Sequence, residues 1–218
     1  VVLDRVPATL TLACAALLIS VVLGIPAGIV AAVKRNSVSD AVIRVLALLG
    51  QCMPAFWLGM MLIMLFAVKL GWMPTGGAED GLRSLILPAF TLGVFSAATI
   101  CRLLRSNLIE VLGKEYIDVA KAKGLPKSKI IGKHALKNAM SSIITILGMQ
   151  FASLLGGSVI TEQVFAWPGV GRLVIQSITT SDFAVVECIV FLMAVIFVVI
   201  NFIVDVLYCV INPRVRLQ

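Results

Sequence analysis

Long apolar runs alternate with short polar stretches along this chain. Five runs, covering about 7–33, 41–70, 85–104, 142–164 and 183–211, can each cross a hydrocarbon core of about 30 Å, which takes about 20 helical residues. Pro7 suits a helix start, and Thr9 and Thr11 follow it. Gly24, Pro26 and Gly28 interrupt the first run, which predicts a kink facing neighbouring helices that satisfy the freed backbone groups. The second run is too long for one straight helix, and Gly50, Gln51 and Pro54 break it near its middle. The fourth holds Gly148, Gly156 and Gly157, small residues that let membrane helices approach closely.

The polar stretches between the runs carry local signals. Segment 34–40 is a short turn with Asp40 as the expected N-cap. Segment 71–83 is rich in turn residues, and its Trp72 suits a membrane interface. Arg102 and Arg105 mark the end of the third run. Segment 115–142 is the longest basic stretch. Its first part, 115–123, reads as a short helix with a narrow apolar face of Ile117, Ala120 and, more weakly, Val119. Gly124 then stops the helix. Pro126 begins another at position N1, and Ile130, Ile131, Ala135 and Leu136 give it a helical apolar stripe. Two short helices joined at a glycine form a knob that can enter a groove on a partner protein. Small Ala120 would allow close approach, and lysines would ring the rim. The residues alone leave open a second reading, an amphipathic loop resting on anionic lipid. Segment 162–182 is a second extramembrane stretch, with a firm turn at Pro168-Gly169-Val170-Gly171.

Composition sharpens the class. The chain is 60% hydrophobic with a mean hydropathy of +1.07 and 13% charged residues, against about 25% for soluble domains. That defines an all-α, polytopic membrane bundle forming a single domain. A net charge of +7 can mark a nucleic-acid binder, but here the charges cluster between the runs, so membrane lipid and not nucleic acid is the expected contact. Numbering the sides by alternation, 14 of the 18 Lys and Arg residues share the side of 34–40, 102–137 and the C-terminus. The positive-inside rule places that side in the cytoplasm, leaving Val1 outside and Gln218 inside. The chain opens on Val1 with no charged n-region and no cleavage site, as expected of a chain that lost its own N-terminus. Cys14, Cys52, Cys101, Cys188 and Cys209 are far apart, with no Cys/His cluster, so they read as small buried hydrophobes and not as metal ligands.

A resemblance adds to this. Asp118-Val119-Ala120, three residues, Gly124 and then a helix entering the next run resemble the EAA loop of ABC-transporter permeases. Asp118 stands where that motif usually has Glu, and Val119 replaces its first Ala. PATLTLA, KAKG, HALKNA, GGSVITEQVFAWPGVGRL and NFIVDVLYCVINPRVR are similar to the dipeptide, oligopeptide and nickel permease family over nearly the whole chain. Ser142 falls where the family's loop usually has Pro, and Asn212 replaces an Asp. The resemblance implies a type I ABC importer permease fold, with five spans visible of the usual six, in the bacterial cytoplasmic (inner) membrane. It implies a second homologous permease, two cytoplasmic P-loop ATPases and an external solute-binding protein. The cargo would be dipeptides, oligopeptides, glutathione-like thiols or nickel chelates. Glu115, Asp118, Ala120, Lys121, Lys123, Gly124, Leu125, Lys127 and His134 would form the ATPase-coupling loop. No cofactor is expected in this chain, since ATP and Mg would sit on the ATPases. The residues agree that the chain is not a catalyst. Gly113-Lys114 and Gly132-Lys133 are followed by Glu and His and lack the Gly five residues earlier that a phosphate-binding loop needs.

Other residues are weighed singly. Intramembrane carboxylates are costly and point to function. Glu187 would face the pore or the partner permease, while Asp205 would pair with Arg214. Gln150, Gly156, Gly157, Glu187 and Asn201 are the candidate translocation path. Glu162, Phe165, Trp167, Pro168, Gly169 and Gly171 would fold a lid under the binding protein, or else an interfacial turn anchored by Trp167. His134 is the one histidine and reads as a packing or partner contact. Ser158 has no histidine within a span to activate it. The competing class, a self-sufficient secondary transporter or channel, predicts repeated halves and a chain of pore carboxylates; the sequence shows neither.

Overall fold

A computed structural model describes residues 1–211, with side chains except at 141, 142, 205 and 207–211. Within it run α1 (Val2–Val33), α2 (Val38–Cys52) and α3 (Ala55–Leu62), the last continuing as a π-helix (Ile63–Lys69). Then come α4 (Leu82–Leu112), α5 (Glu115–Ala122) and α6 (Lys127–Lys129), which passes through a second π-helix (Ile130–Ala135) into α7 (Leu136–Val164). α8 (Val170–Thr179) and α9 (Phe183–Ile211) follow. All regular structure among the described residues is helical. Four helices are long and apolar enough to cross a membrane, and the α2–α3 pair makes a fifth crossing if counted as one bent span.

The bend has a local cause. A residue before proline is pushed out of the helical region, and Met53 accordingly has ψ 129° before Pro54, the N-cap of α3. The two helices meet at 104°.

α1 and α4 lie along one another at the centre, and glycines set their separation. A Cβ on Gly24 would come within 2.7 Å of the Ala97 carbonyl oxygen, one on Gly28 within 2.9 Å of that of Cys101, and one on Gly93 within 2.7 Å of that of Ala16. Backbone stands against backbone, as small residues allow in membranes. Gly24→Val is therefore expected to push the helices apart and lower the melting temperature of the detergent-extracted protein by several degrees; a melting curve like that of the wild type would contradict this close approach.

Two apolar clusters fill the bundle. At the basic end, Ile100, Leu104 and Leu108 of α4 meet Ile117, Ala120, Ile130, Ala135, Ala139 and Ile143. At the opposite end, Leu12, Ala13 and Ala16 meet Ala89, Leu92, Leu154, Leu155 and Trp167. α9 stays almost uncovered by the rest of the chain, with Phe191, Val198 and Phe202 exposed.

Several expectations need correcting. Pro7 lies inside α1, because the turn before it is already helical from Val2. Asp40 is not the N-cap of α2; Ser37 is, its Oγ accepting the Asp40 N–H at 3.3 Å. α4 runs eight residues past Leu104, because Arg105 is not at a helix end but turned inward onto Asp40. Pro126 is an N-cap (ψ 146°) and not N1. Of the cysteines, Cys101 is buried, but Cys14, Cys52 and Cys188 are exposed. Gly156 and Gly157 face open space, with no atom within 4 Å of an added Cβ, so they mediate no helix contact among the described residues. Gly148 does, against Val204. The side chain of Asp205, and Asn212 and Arg214 altogether, lie outside the described residues.

Candidate functional site: a basic knob, a polar groove and a plug at the far end

The knob is built from the inside. α5 buries Ile117 and Ala120. Ala120 thus packs in the chain's own core, and its small size lets α5 sit on α4 and the second π-helix; it is not the partner-facing residue expected. Gly124 has φ +71°, a conformation glycine adopts without strain. The Gly124 N–H donates to the Lys121 carbonyl (2.9 Å) and the Leu125 N–H to that of Ala120 (3.3 Å). This pair of bonds closes a helix C-terminus, and half-buried Leu125 adds the accompanying apolar contact. Asn138 ties the knob to α7 by donating to the Tyr116 hydroxyl (3.0 Å) and the carbonyl of half-buried His134 (2.9 Å).

The outer face is open. Tyr116 is 44% exposed and Val119 55%. Glu115, Asp118, Lys121, Lys123 and Lys127 are exposed as well, with Asp118 and Lys121 paired at 2.7 Å. Beside α5, the Glu110 carboxylate 2.8 Å from Lys114 raises the pKa of that lysine above its ordinary value.

The groove lies at the α2–α3 bend. Gly50, Gln51, Thr91, Ser96, Gln150 and Gly157 line a space of about 310 Å³ with neighbouring apolar side chains. Gln51 donates from Nε2 to Thr99 Oγ1 (2.9 Å). The structure thus brings Gln150 and Gly157 together. Gly156, Glu187 and Asn201 are not among the groove's lining residues: Glu187 is exposed on α9, and Asn201 donates to the Phe197 carbonyl of its own helix (2.9 Å).

At the opposite end, residues 162–171 form a plug and not a surface loop. Glu162, in the last turn of α7, is fully buried. Its carboxylate accepts from Thr9 Oγ1 (2.8 Å) and from the Arg172 N–H (3.1 Å). Thr9 Oγ1 in turn accepts the Val170 N–H (2.9 Å). Gly169 and Gly171 leave the space the carboxylate occupies, since added Cβ atoms would strike it. Phe165 is buried, and buried Trp167 donates Nε1–H to the Ala8 carbonyl (2.9 Å). Trp167 therefore does not anchor an interfacial turn. Half-buried Pro168 closes the corner, where the Gly169 N–H donates to the Trp167 carbonyl (2.8 Å).

Sequence reasoning missed two residues. Asp40 is fully buried and receives Arg105 Nε (2.7 Å), Arg105 Nη2 (2.8 Å) and the Asn36 N–H (3.0 Å), with Arg44 Nε at 3.4 Å. From the sequence, Gln51 reads only as a helix breaker. The available signal was a polar residue at the edge of an apolar run for Asp40 and within one for Gln51.

A bundle of membrane-grade helices carrying a folded basic knob between two crossings and a plug at the far end defines the class: a type I ABC importer permease. The fold matches a chain of the MetNI methionine ABC transporter in inward facing conformations, with a TM-score of 0.82 over 97% of this chain and 96% of that one at 20% identity. It also matches a chain of an amino acid ABC transporter with histidines (TM-score 0.75, 94% and 92% covered, 17% identity). Residues 24–217 match the family described as binding-protein-dependent transport system inner membrane component, and the chain belongs to that family. It is 43% identical over 213 residues to the glutathione transport system permease protein GsiC of Escherichia coli strain K12, covering 98% of this chain and 69% of that protein. It is 40% identical over 239 residues to the di/tripeptide transport system permease protein DppB of Pseudomonas aeruginosa strain UCBPP-PA14, with 97% and 71% covered. The chain is thus a multi-pass inner-membrane permease component of an ABC import system, and membership implies ATPase and solute-binding-protein partners.

Proposed function

We propose that this chain is a pore subunit of an ATP-driven importer of small peptides or glutathione, and that α5 is the element through which partner ATPases move it. The observation that carries the coupling is the two-sided knob. Its inner face is locked into the bundle by Ile117, Ala120 and the Gly124 closure, while Tyr116 and Val119 stay uncovered among charged residues. An apolar centre in a charged rim is how protein docking faces are built, and a face on lipid alone would not need so rigid a backing. In this reading the knob lies in the cytoplasm with the C-terminus, ATP and Mg sit on the ATPases, and a second, homologous permease covers the groove and the open Gly156–Gly157 face. Glu115, Asp118, Lys121, Lys123, Lys127 and His134 frame the docking face; Ala120, Gly124 and Leu125 hold its shape.

The cargo assignment follows the two relatives and the groove itself. Gln51, Gln150 and exposed Ser153 offer neutral hydrogen-bonding groups, with no charge among the described lining residues. Such a lining exchanges bonds with peptide groups without trapping a charged end. Gly156, Glu187 and Asn201 then serve interfaces with lipid or the partner and not the path. The plug at Glu162–Gly171 holds in shape the end of the bundle on which the solute-loaded binding protein rests.

Val119→Glu tests the docking. The side chain is exposed, so the knob stays folded and insertion is unchanged. ATP hydrolysis stimulated by the solute-loaded binding protein is expected to fall at least about tenfold, as for a charge driven into the centre of an interface. Normal stimulation in reconstituted complexes overturns the assignment.

A further inference from the structure

We infer that α2 is a swinging arm of the pore, pivoted on the Asp40–Arg105 ion pair and held at its other end by a releasable catch, the hydrogen bond from Gln51 to Thr99. The inference rests on the reading of the groove as the path and of α5 as the driven element.

The first observation is how little of α2 is packed. Its one fully buried residue, among those described, is the carboxylate-bearing Asp40, whereas α1 and α4 bury long rows of apolar and small residues. Two apolar clefts, of about 260 and 350 Å³, open between α2 and α4 and share Ile43, Ala47, Ala98 and Cys101 in their walls. Interiors that fix a helix are close-packed; this contact is not. α2 is held to α4 at two polar points, with one close apolar approach, Gly50 against Val94, beside the second.

Those points differ in kind. Asp40 and Arg105 make a forked, charge-assisted pair at 2.7 and 2.8 Å, and the same carboxylate fixes the α1–α2 corner through the Asn36 N–H. The carboxylate is fully buried and keeps a second cation, Arg44 Nε, at 3.4 Å, so opening this end would strand a buried charge and it stays shut. Gln51 and Thr99 share one neutral bond of 2.9 Å. Gln51 also lines the groove, so its amide can exchange Thr99 for a passing solute or a partner subunit at little cost.

The pivot is placed to be driven. Arg105 lies three residues before Leu108, which packs in the cluster that seats Ile117 and Ala120 of α5. A shift of α5 therefore moves the end of α4 that carries the pivot. From Asp40 to Gln51 the arm is about 16 Å long at 1.5 Å per residue, so a rotation of roughly 15° carries Gln51 by about 4 Å. Such a movement opens or narrows the groove at the α2–α3 bend. Gln51 and Thr99 are positioning residues in this account.

The test is a double-mutant cycle with a distance measurement. Gln51→Leu, Thr99→Val and the double variant are reconstituted with the partner subunits. Each is expected to raise ATP hydrolysis in the absence of solute by the same roughly 2- to 10-fold, the shift one neutral hydrogen bond carries. A role for Gln51 only as groove lining predicts no effect of Thr99→Val; that result, or additive effects in the double variant, overturns the catch. Where a variant fails to assemble, spin-label distances on the otherwise unaltered pore decide. With native cysteines replaced, the pair Leu49→Cys and Phe95→Cys is expected to shift by about 4 Å between the nucleotide-free and vanadate-trapped states, while Val38→Cys and Ser106→Cys hold still. No shift at the first pair, or equal shifts at both, overturns the arm. Failure of the docking reading shows separately, as normal stimulation in Val119→Glu.

Discussion

Asp40→Ala is expected to lower the stability of the folded permease by about 3 kcal/mol, the lower end of the 3–5 kcal/mol typical when one member of a buried ion pair is removed. The lower end applies because the side chain of Arg105 keeps 21% exposure and can turn partly outward. Three groups lose their acceptor together: the two guanidinium N–H donors of Arg105 and the Asn36 amide at the α1–α2 corner. Asp40→Asn keeps the volume and part of the bonding, so its loss is smaller. Arg105→Lys keeps the charge but cannot make the fork and falls between the two. A melting series of detergent-extracted complexes reads this order. Equal melting of Asp40→Ala and the unaltered protein would show the pair to be idle.

That pair also shows where sequence reasoning stops. The apolar runs were legible because a span needs a length of hydrocarbon and nothing else. The bend at Met53 and the closure at Gly124 were legible because proline and glycine impose backbone geometry locally. Asp40 was misread for a related reason. Ser37 and Asp40 are both good capping residues three positions apart, and only the position of Arg105, 65 residues away, shows which of them faces inward. Thr9 and Glu162 lie 153 residues apart and meet for the same kind of reason. Local pattern names candidates for burial but not their partners.

The candidate site divides along the same line. The first short helix of the knob and its glycine stop were legible, because their signals lie within about a dozen residues; the second piece is not a separate short helix but runs on unbroken into α7. The facing of Ala120 was not, since a two-residue stripe fits either the chain's own core or a partner's groove. Gln150 and Gly157 reached the groove while Glu187 and Asn201 did not, because helix rotation about its axis is set by packing that a uniformly apolar helix such as α9 does not encode. The unfilled faces at Gly156, Gly157 and along α9 are complete only with neighbours, so a single chain's sequence could not explain them.

Glu162→Leu is the second large effect, and it isolates the plug from the knob. The Glu162 carboxylate sits at the start of α8, where helix N–H groups lack partners and negative charge is favoured. It accepts the Arg172 N–H and the Thr9 hydroxyl, which itself receives the Val170 N–H. Leucine fills a similar volume but accepts nothing. Two bonds to a charged acceptor disappear, at about 1.5–3 kcal/mol each in the bookkeeping of single hydrogen bonds, which are not fully additive; about 3 kcal/mol of local stability is the expected loss. Hydrogen exchange at the Val170 and Arg172 amides should accelerate by roughly 100-fold, with the amides of α5 unchanged. Gly169→Ala attacks the same contact from the other side, because its Cβ would strike the carboxylate. It should loosen the same amides. Solute-dependent transport should fall in both variants while basal ATP hydrolysis persists, since neither change touches the knob. Unaltered exchange at Val170 in Glu162→Leu would mean that Trp167 and Phe165 hold the plug by packing alone.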